Sequence, residues 1–526
     1  MRHPLNKDLP VISVSRRNVL KGVAAMPIAL GLTPLARATD LMVRYDIASP
    51  QGQQMLAIYA DAVRQMQALG PDNPLSWMWQ WYTHFVDGTT SKSAEITRIF
   101  GDVATPLSAL ANEAWNTCQS HSGQNSNNFL PWHRLFVYYF ERIVRQVCGH
   151  PEFTLPYWDY SSADPAKRGV VPEAFRLPDD PVFGSLYRPE RGTLANSGQP
   201  IQLNQTGDPM NIDDAMRCTT YSTVGSVQGV CRAIDSGIHG KIHVLTGSSK
   251  GMGSVPYACR DPLFWVHHSN IDRMWASWNK NGGKNPTLGT TEAAWADKPF
   301  VFCDASGARV SRKLGTAFSV LGMGYTYDAF IPKPPAPPPP PPTTATTAAA
   351  MTTMMASASG SGTTTVTKTQ HVAKAPTSAE MGAIPVHVTL KPLAGTAQTP
   401  VLGLDPNQPE KHTYLVLKDL HTWSQPEVLY HVYLTAAGGQ SKLSQQSYVG
   451  AINFFDAEFH DHGNGAMDMA IGENFFSFDV TELLKRIARS GNAANARDAL
   501  TVTFVPGGKP APGGKPLVST IELVRQ

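Results

Sequence analysis

The sequence predicts a mainly α-helical domain, a Pro/Thr-rich linker and a C-terminal β-sandwich, in that order. Three observations carry this. Before residue 332 apolar side chains recur at helical spacing. Pro332–Lys368 is proline-rich and then rich in threonine and alanine, and the runs that follow alternate with a period of two. A chain of 526 residues is also too long for one ordinary domain.

Residues 1–38 read as a twin-arginine signal peptide. "SRRNVLKG" (Ser15–Gly22) holds the arginine pair, "VAAMPIALGL" is a short apolar run, and "ARA" (Ala36–Ala38) fits a small-x-small cleavage site. The run is too short for a permanent membrane span, and no later stretch is long and apolar enough. The expectation is export of the folded protein by the twin-arginine machinery, to the periplasm or out of the cell. This segment carries a net +5, which leaves −2 on the remainder. The strong basic footprint of a nucleic-acid binder is therefore absent.

Residues 39–331 form the predicted helical domain. Gly52–Leu69 places Met55, Ile58, Tyr59, Ala62, Val63 and Met66 at helical spacing. Trp132–Cys148 repeats the pattern through Phe136, Tyr139, Phe140, Ile143, Val144 and Val147, with Pro131 and Gly149 as start and stop signals. Residues 332–378 are assigned to the linker, whose proline run favours an extended polyproline II rod. Residues 379–526 contain seven alternating runs, from "IPVHVTLKPL" to "LVSTIELV", broken by Gly, Asn and Pro turns; this is the β-sandwich. None of the six cysteines forms a CxxC pair, which argues against a zinc ribbon. Cys218 and Cys231 are the pair expected to join if the destination is oxidising.

The chemistry lies in the histidines. His84, His121 and His133 form one group in the helical domain; His239, His243 and the doublet His267–His268 form another. His239 and His243 are spaced i, i+4, which stacks two imidazoles on one helical face. "HGKIH" has no Glu to act as a metalloprotease base, and no carboxylate or thiol stands at ligand spacing. Imidazole suits copper and zinc, and the affinity order favours copper. An all-imidazole copper pair suits dioxygen binding and phenol oxidation.

"FLPWHRLFVYYFERI" resembles the CuA signature of the tyrosinase, catechol oxidase and hemocyanin family, and "DPLFWVHHSNIDRMWASW" its CuB signature. The resemblance covers roughly residues 40–330. It implies a central four-helix bundle holding two copper ions, with dioxygen bound between them as a side-on peroxide. It assigns His84, His121 and His133 to CuA and His239, His243 and His268 to CuB. His267 then stands behind the ligands, because the second member of the doublet is the usual ligand in the family. Phe264 matches the aromatic gate over the copper pair. Asp272 either orients an imidazole or pairs with an arginine. Tyr325 and Tyr327 in "GMGYTYDAF" resemble the Tyr-x-Tyr motif that closes the family's catalytic domain, and Arg44 is expected to stack on one of them.

Three departures stand out. Eleven residues separate His121 from His133, more than relatives usually have. Cys118 lies three residues before His121, where a thioether to that histidine is conceivable. Gly240 follows the first CuB histidine, a place where monophenol-accepting enzymes often carry Asn; Asp235 is then the residue expected to hold the water that deprotonates the phenol. The β-domain more weakly resembles the shielding domain that covers the copper site in many polyphenol oxidases until proteolysis. His460, His462, Met467 and Met469 offer either a transient copper site or an ordinary polar loop. The implied function is tyrosinase: monophenols to catechols, and catechols to o-quinones, with dioxygen, which is melanin-type chemistry. Implied partners are small phenols, dioxygen and a copper-delivery protein. Alternatives are a catechol oxidase, a hemocyanin-like oxygen carrier and a zinc hydrolase.

Overall fold

Ser49 accepts a hydrogen bond from Gly52 N–H and Pro50 supplies a preset φ, so the first long helix starts at Pro50 and runs to Ala68. The computed structural model describes residues 41–119, 125–335, 369–393, 411–437, 443–459, 475–489 and 499–526. Ser76 caps the Trp77–His84 helix in the same way. The Phe129–Cys148 helix begins three residues before the sequence reading placed it. Pro131 falls inside its first turn, where a missing N–H has no intrahelical acceptor to lose. The helix ends at Gly149, whose φ of 71° closes a left-handed cap. Asp261 caps the Pro262–Lys280 helix through Leu263 N–H and also pairs with buried Arg191. The Phe129–Cys148 and Pro262–Lys280 helices meet where Phe140 stacks on Trp265, ring centroids 3.4 Å apart.

The domain is closed by its own ends. Met42–Arg44 pairs in parallel with Tyr325–Tyr327. Arg44 is fully buried; its Nε donates to Glu141 (2.9 Å), its Nη1 to Asp272 (3.1 Å), and its guanidinium stacks 4.0 Å from the centre of the Tyr325 ring. Asp272 also receives Arg134 and the hydroxyls of Tyr325 and Tyr327. Burial alone would raise the Asp272 pKa, but the Arg134 and Arg44 guanidiniums hold it below the usual carboxylate range. Of the two roles expected for Asp272, the structure shows the arginine pair.

Among the described residues the C-terminal domain is a nine-stranded antiparallel arrangement. Tyr448–Ile452, Tyr430–Ala436, Leu500–Pro506 and Val386–Pro392 follow one another in one half. Gln370–Lys374, Leu517–Arg525, Thr413–His421 and Phe475–Asp479 make the other, with Ala379–Glu380 pairing beside Leu517–Arg525. Among the described residues the halves pair at Ala373–Pro392 and Lys374–Lys391, with Leu393 N–H bonding to Val372 O beside them. Val432, Leu434, Val502 and Phe504 of one half share a core with Leu415, Leu417, Ile521 and Leu523 of the other. Alternating faces thus fold onto each other as two layers. Two details differ from the sequence reading. The Gln370–Lys374 strand lies within the 332–378 assigned to the linker, because His371 and Ala373 find ladder partners in Val524 and Leu523. The end of "NFFSFDVTEL" turns into a helix, Thr481–Arg489.

The expected disulfide is also absent. All six cysteines are free. Cys218 Sγ faces the carbonyls of Asp214 and Gln228, whereas Cys231 Sγ faces that of Ser126, and burial pushes both thiols up to about 12. No helix among the described residues is long and apolar enough to cross a membrane. The signal segment lies outside the described residues.

A candidate dinuclear metal centre

Four helical segments bring the histidines together. His84 ends the Trp77–His84 helix, and His133 lies in the second turn of Phe129–Cys148. His239 closes a π-helical stretch, Ala233–His239, kinked at Gly237, which runs without a break into Gly240–Thr246 and His243 as one segment. His267 and His268 come from Pro262–Lys280. All six are at least 98% buried.

Backbone carbonyls fix three of the rings. His133 Nδ1 lies 2.9 Å from Phe129 O, His239 Nδ1 3.2 Å from Asp235 O, and His243 Nδ1 2.7 Å from Met252 O. A carbonyl only accepts, so each ring carries its proton on Nδ1 and keeps its lone pair on Nε2. Burial pushes His239 down to about 3 and His243, His267 and His268 well below the ordinary value, so these four stay neutral.

The rings form two facing sets. His84 and His133 lie 5.8 Å apart by ring centroids; His239 and His243 lie 4.6 Å apart. His268 stands between the sets, stacked on His133 at 4.4 Å and edge-on to His239 at 5.2 Å. His267 lies on the far side, 4.9 Å from His243 and parallel to His239 at 5.6 Å. Donor atoms of His239, His243, His267 and His268 all come within 4.8 Å of one another, so the structure brings in both members of the doublet. His121 lies outside the described residues. So do His460, His462, Met467 and Met469.

Cys118 is expected from the sequence as a thioether partner for His121, which lies outside the described residues; its Sγ lies instead 3.0 Å from His84 Nε2 and 3.6 Å from His133 Nε2. Asn116 N–H and Cys118 N–H bond to the carbonyls of Tyr82 and His84, which lays this segment along the end of the Trp77–His84 helix. Spacing along the chain carries no sign of that pairing.

Phe264 is fully buried between the sets, 4.2 Å from His268 and 5.0 Å from His84 by ring centroids. Asp235 is buried behind His239, its Oδ1 3.4 Å from His239 Nδ1 and its Oδ2 3.5 Å from Arg232.

The β-domain reaches into the same place. Phe455, just past the Tyr448–Ile452 strand, lies parallel to His243 with centroids 4.0 Å apart. Asn453 Nδ2 donates to Ser236 O at 2.8 Å, and Ser254 Oγ donates to Glu458 at 3.0 Å. Asp456 lies close enough to Asp235 and His239 to share a cation with them. These residues sit in "YVGAINFFDAEF", which reads as a strand; the paired phenylalanines beyond its alternation were the available signal.

The donor set fits a pair of soft-to-borderline metal ions. Neither nitrogen of His267 or His268, nor His243 Nε2, makes a hydrogen bond, although all are buried. Buried polar atoms left without partners are unfavourable unless something else engages them. Clustered imidazoles beside a thiol are ligands that copper binds strongly.

The fold and site define a helical protein whose clustered, buried imidazoles can hold metal, with an attached C-terminal sheet domain. Sequence comparison agrees: the common central domain of tyrosinase matches residues 74–188 and 188–281. Tyrosinase HcTyr1 of Hahella sp. (strain CCB-MM4) is 30% identical over 304 residues, 53% of this chain and 61% of that protein. Chloroplastic polyphenol oxidase C of Solanum lycopersicum is 26% identical over 331 residues, 55% of this chain and 47% of that protein. The chain thus spans about half to three fifths of the length of these curated relatives. A latent tyrosinase from apple shares the fold with a TM-score of 0.57 at 19% identity, over 94% of this chain and 99% of that one. Residues 74–281 thus match the central domain common to tyrosinases, and over about half its length the chain is similar to tyrosinases and polyphenol oxidases.

Proposed function

We propose that this chain is a tyrosinase-type phenol oxidase, converting monophenols to catechols and catechols to o-quinones with dioxygen, and that its β-domain holds it latent. The observation that carries the reading is the facing pair of buried imidazole sets with Phe455 laid on His243. His84, His121 and His133 would hold one copper, and His239, His243 and His268 the other; the four helical segments bearing them are read as the family's central bundle. Bound copper supplies the redox chemistry with dioxygen.

The protein's own groups do the rest. Phe129, Trp132 and Phe264 line the histidines with aromatic surface and exclude water. The His243 face taken by Phe455 is the place for a planar phenol ring. Asp235 is read as the acceptor of the phenolic proton through a water at its carboxylate, supported by its position behind His239. Gly240, with no side chain to help hold that water, favours a second reading: a catechol oxidase without the monophenol step. The fold shared with a latent tyrosinase fits a closed state opened by removal of the β-domain. Export of the folded, copper-loaded protein by the twin-arginine route is part of the same proposal. Retention of the protein inside the cell with an intact arginine pair would count against it.

The deciding experiment measures copper content, and dioxygen uptake with L-tyrosine and L-DOPA, before and after cleavage between residues 336 and 368. Two coppers per chain with turnover of both substrates supports tyrosinase. Turnover of L-DOPA alone makes it a catechol oxidase. Reversible oxygen binding without turnover makes it a carrier, and zinc in place of copper overturns the reading.

A further inference from the structure

We infer that Gly240 and Asn453 are a matched pair: the bare Cα beside His239 is the socket in which the β-domain seats its Asn453 amide. The size of residue 240 thereby decides whether the domain can close. The inference rests on the reading of the β-domain as a closing domain and adds the residue that permits closure.

The geometry runs through one carbonyl. At the Gly237 kink, Gly240 N–H bonds to the carbonyls of Asp235 and Gly237 and bypasses that of Ser236. Ser236 O instead accepts Asn453 Nδ2–H at 2.8 Å. On its other side, Asn453 Oδ1 accepts Phe455 N–H at 3.2 Å. One amide therefore ties the domain to the kinked helix and sets the path by which Phe455 leaves its strand to reach His243. Asn453 is 3% exposed, so neither bond is replaced by water while the domains are closed.

Glycine at 240 makes this approach feasible. A Cβ built there would lie 2.7 Å from Asn453 Nδ2 and 2.8 Å from its Cγ, well inside van der Waals contact. The amide is short and held at both ends. It cannot swing away without giving up the bond to Ser236, the bond to Phe455, or both. A side chain at 240 therefore lifts Asn453, and with it Phe455, off the site. Gly240 acts as a positioning residue for the domain, through Asn453, independently of any part it plays beside His239.

The test uses the full chain with a protease site placed between residues 336 and 368, cut after purification. Release of the β-domain is followed by size exclusion and L-DOPA oxidation in parallel. Gly240→Ala should speed release by about tenfold or more, the equivalent of losing one or two buried hydrogen bonds. Asn453→Asp, which keeps the shape but loses the donor to Ser236 O, should also speed it while leaving the helical domain unchanged. The pairing is read from Asn453→Gly: added to Gly240→Ala, it should erase the difference that Gly240→Ala makes, because the methyl then has room. Gly240→Ala with wild-type release, or an equal effect in the presence and absence of Asn453, overturns the pair. A wild-type chain whose released domain leaves oxidation unchanged overturns the closing-domain reading itself, and the two failures are thus told apart.

Discussion

Phe455 of the β-domain lies parallel to the imidazole of His243, their centroids 4.0 Å apart and their planes 7° apart. An aromatic ring from one domain occupies the face of a histidine of the candidate metal site in the other. Stacking of this kind contributes about 0.5–1.5 kcal/mol beyond area burial. Phe455→Ala should therefore raise catechol oxidation by the intact chain by roughly tenfold. Initial rates before and after linker cleavage check it; a variant as latent as the parent would show that something else closes the site.

The ligand assignment predicts unequal losses. His133→Ala and His243→Ala should each remove one copper per chain, measured by elemental analysis, and abolish oxidation. His268→Ala should lose more copper than His267→Ala. The reverse order would exchange their roles, which the geometry leaves open because both rings border His239 and His243.

Asp235→Ala should depress L-tyrosine hydroxylation more than L-DOPA oxidation in the cleaved enzyme, about tenfold against little change, if it accepts the phenolic proton. Equal loss of both would make Asp235 a support for the His239 ring alone, which its 3.4 Å contact also allows.

Closure should depend on pH through His431. Its Nε2 meets Gln205 Oε1 at 3.1 Å and its Nδ1 lies 3.4 Å from the Tyr448 hydroxyl. Burial, with the Lys241 ammonium nearby, pushes it from 6.5 down to about 4. A depressed histidine closes neutral, so closure is at full strength above 6.5 and weakens as pH falls from 6.5 towards 4. Glu458 works in the opposite sense. Burial raises its pKa, so closure favours the protonated form and weakens as pH rises through that raised value. His431→Gln should flatten the acid limb of domain release; an unchanged limb would remove His431 from the account.

Arg44→Ala should destabilise the helical domain by about 3–5 kcal/mol, since it leaves Glu141 and Asp272 buried with fewer partners. Thermal unfolding measures this directly. A melting point within a degree or two of the parent would mean that Arg134 and Arg145 suffice.

The histidines were legible because metal chemistry constrains residue type and spacing along single helices. His239 and His243 are four apart, and the doublet sits in a run of buried aromatics. The two-layer sheet was legible from alternation alone, except where the Gln370–Lys374 strand adjoins threonine-rich sequence. Illegible were contacts set by packing between distant segments. Cys118 reaches His84 through a backbone pairing that spacing does not encode, and Asn453 and Phe455 matter only because one domain lies against the other. Asp272 offered two roles on paper; burial of Arg44 and Arg134 around it decides between them.

The parallel pairing of Met42–Arg44 with Tyr325–Tyr327 makes the helical domain nearly a ring. The chain arrives at Met42 and departs at Tyr327 within a strand's length, about 10 Å at 3.3 Å per residue. A few glycines would join the two, and fresh termini could be opened at an exposed turn such as Gly289 without disturbing any histidine. The β-domain could then be grafted at a different point on that circle. Whether it still finds its seat would show how far closure depends on the path of the tether rather than on the surfaces it joins.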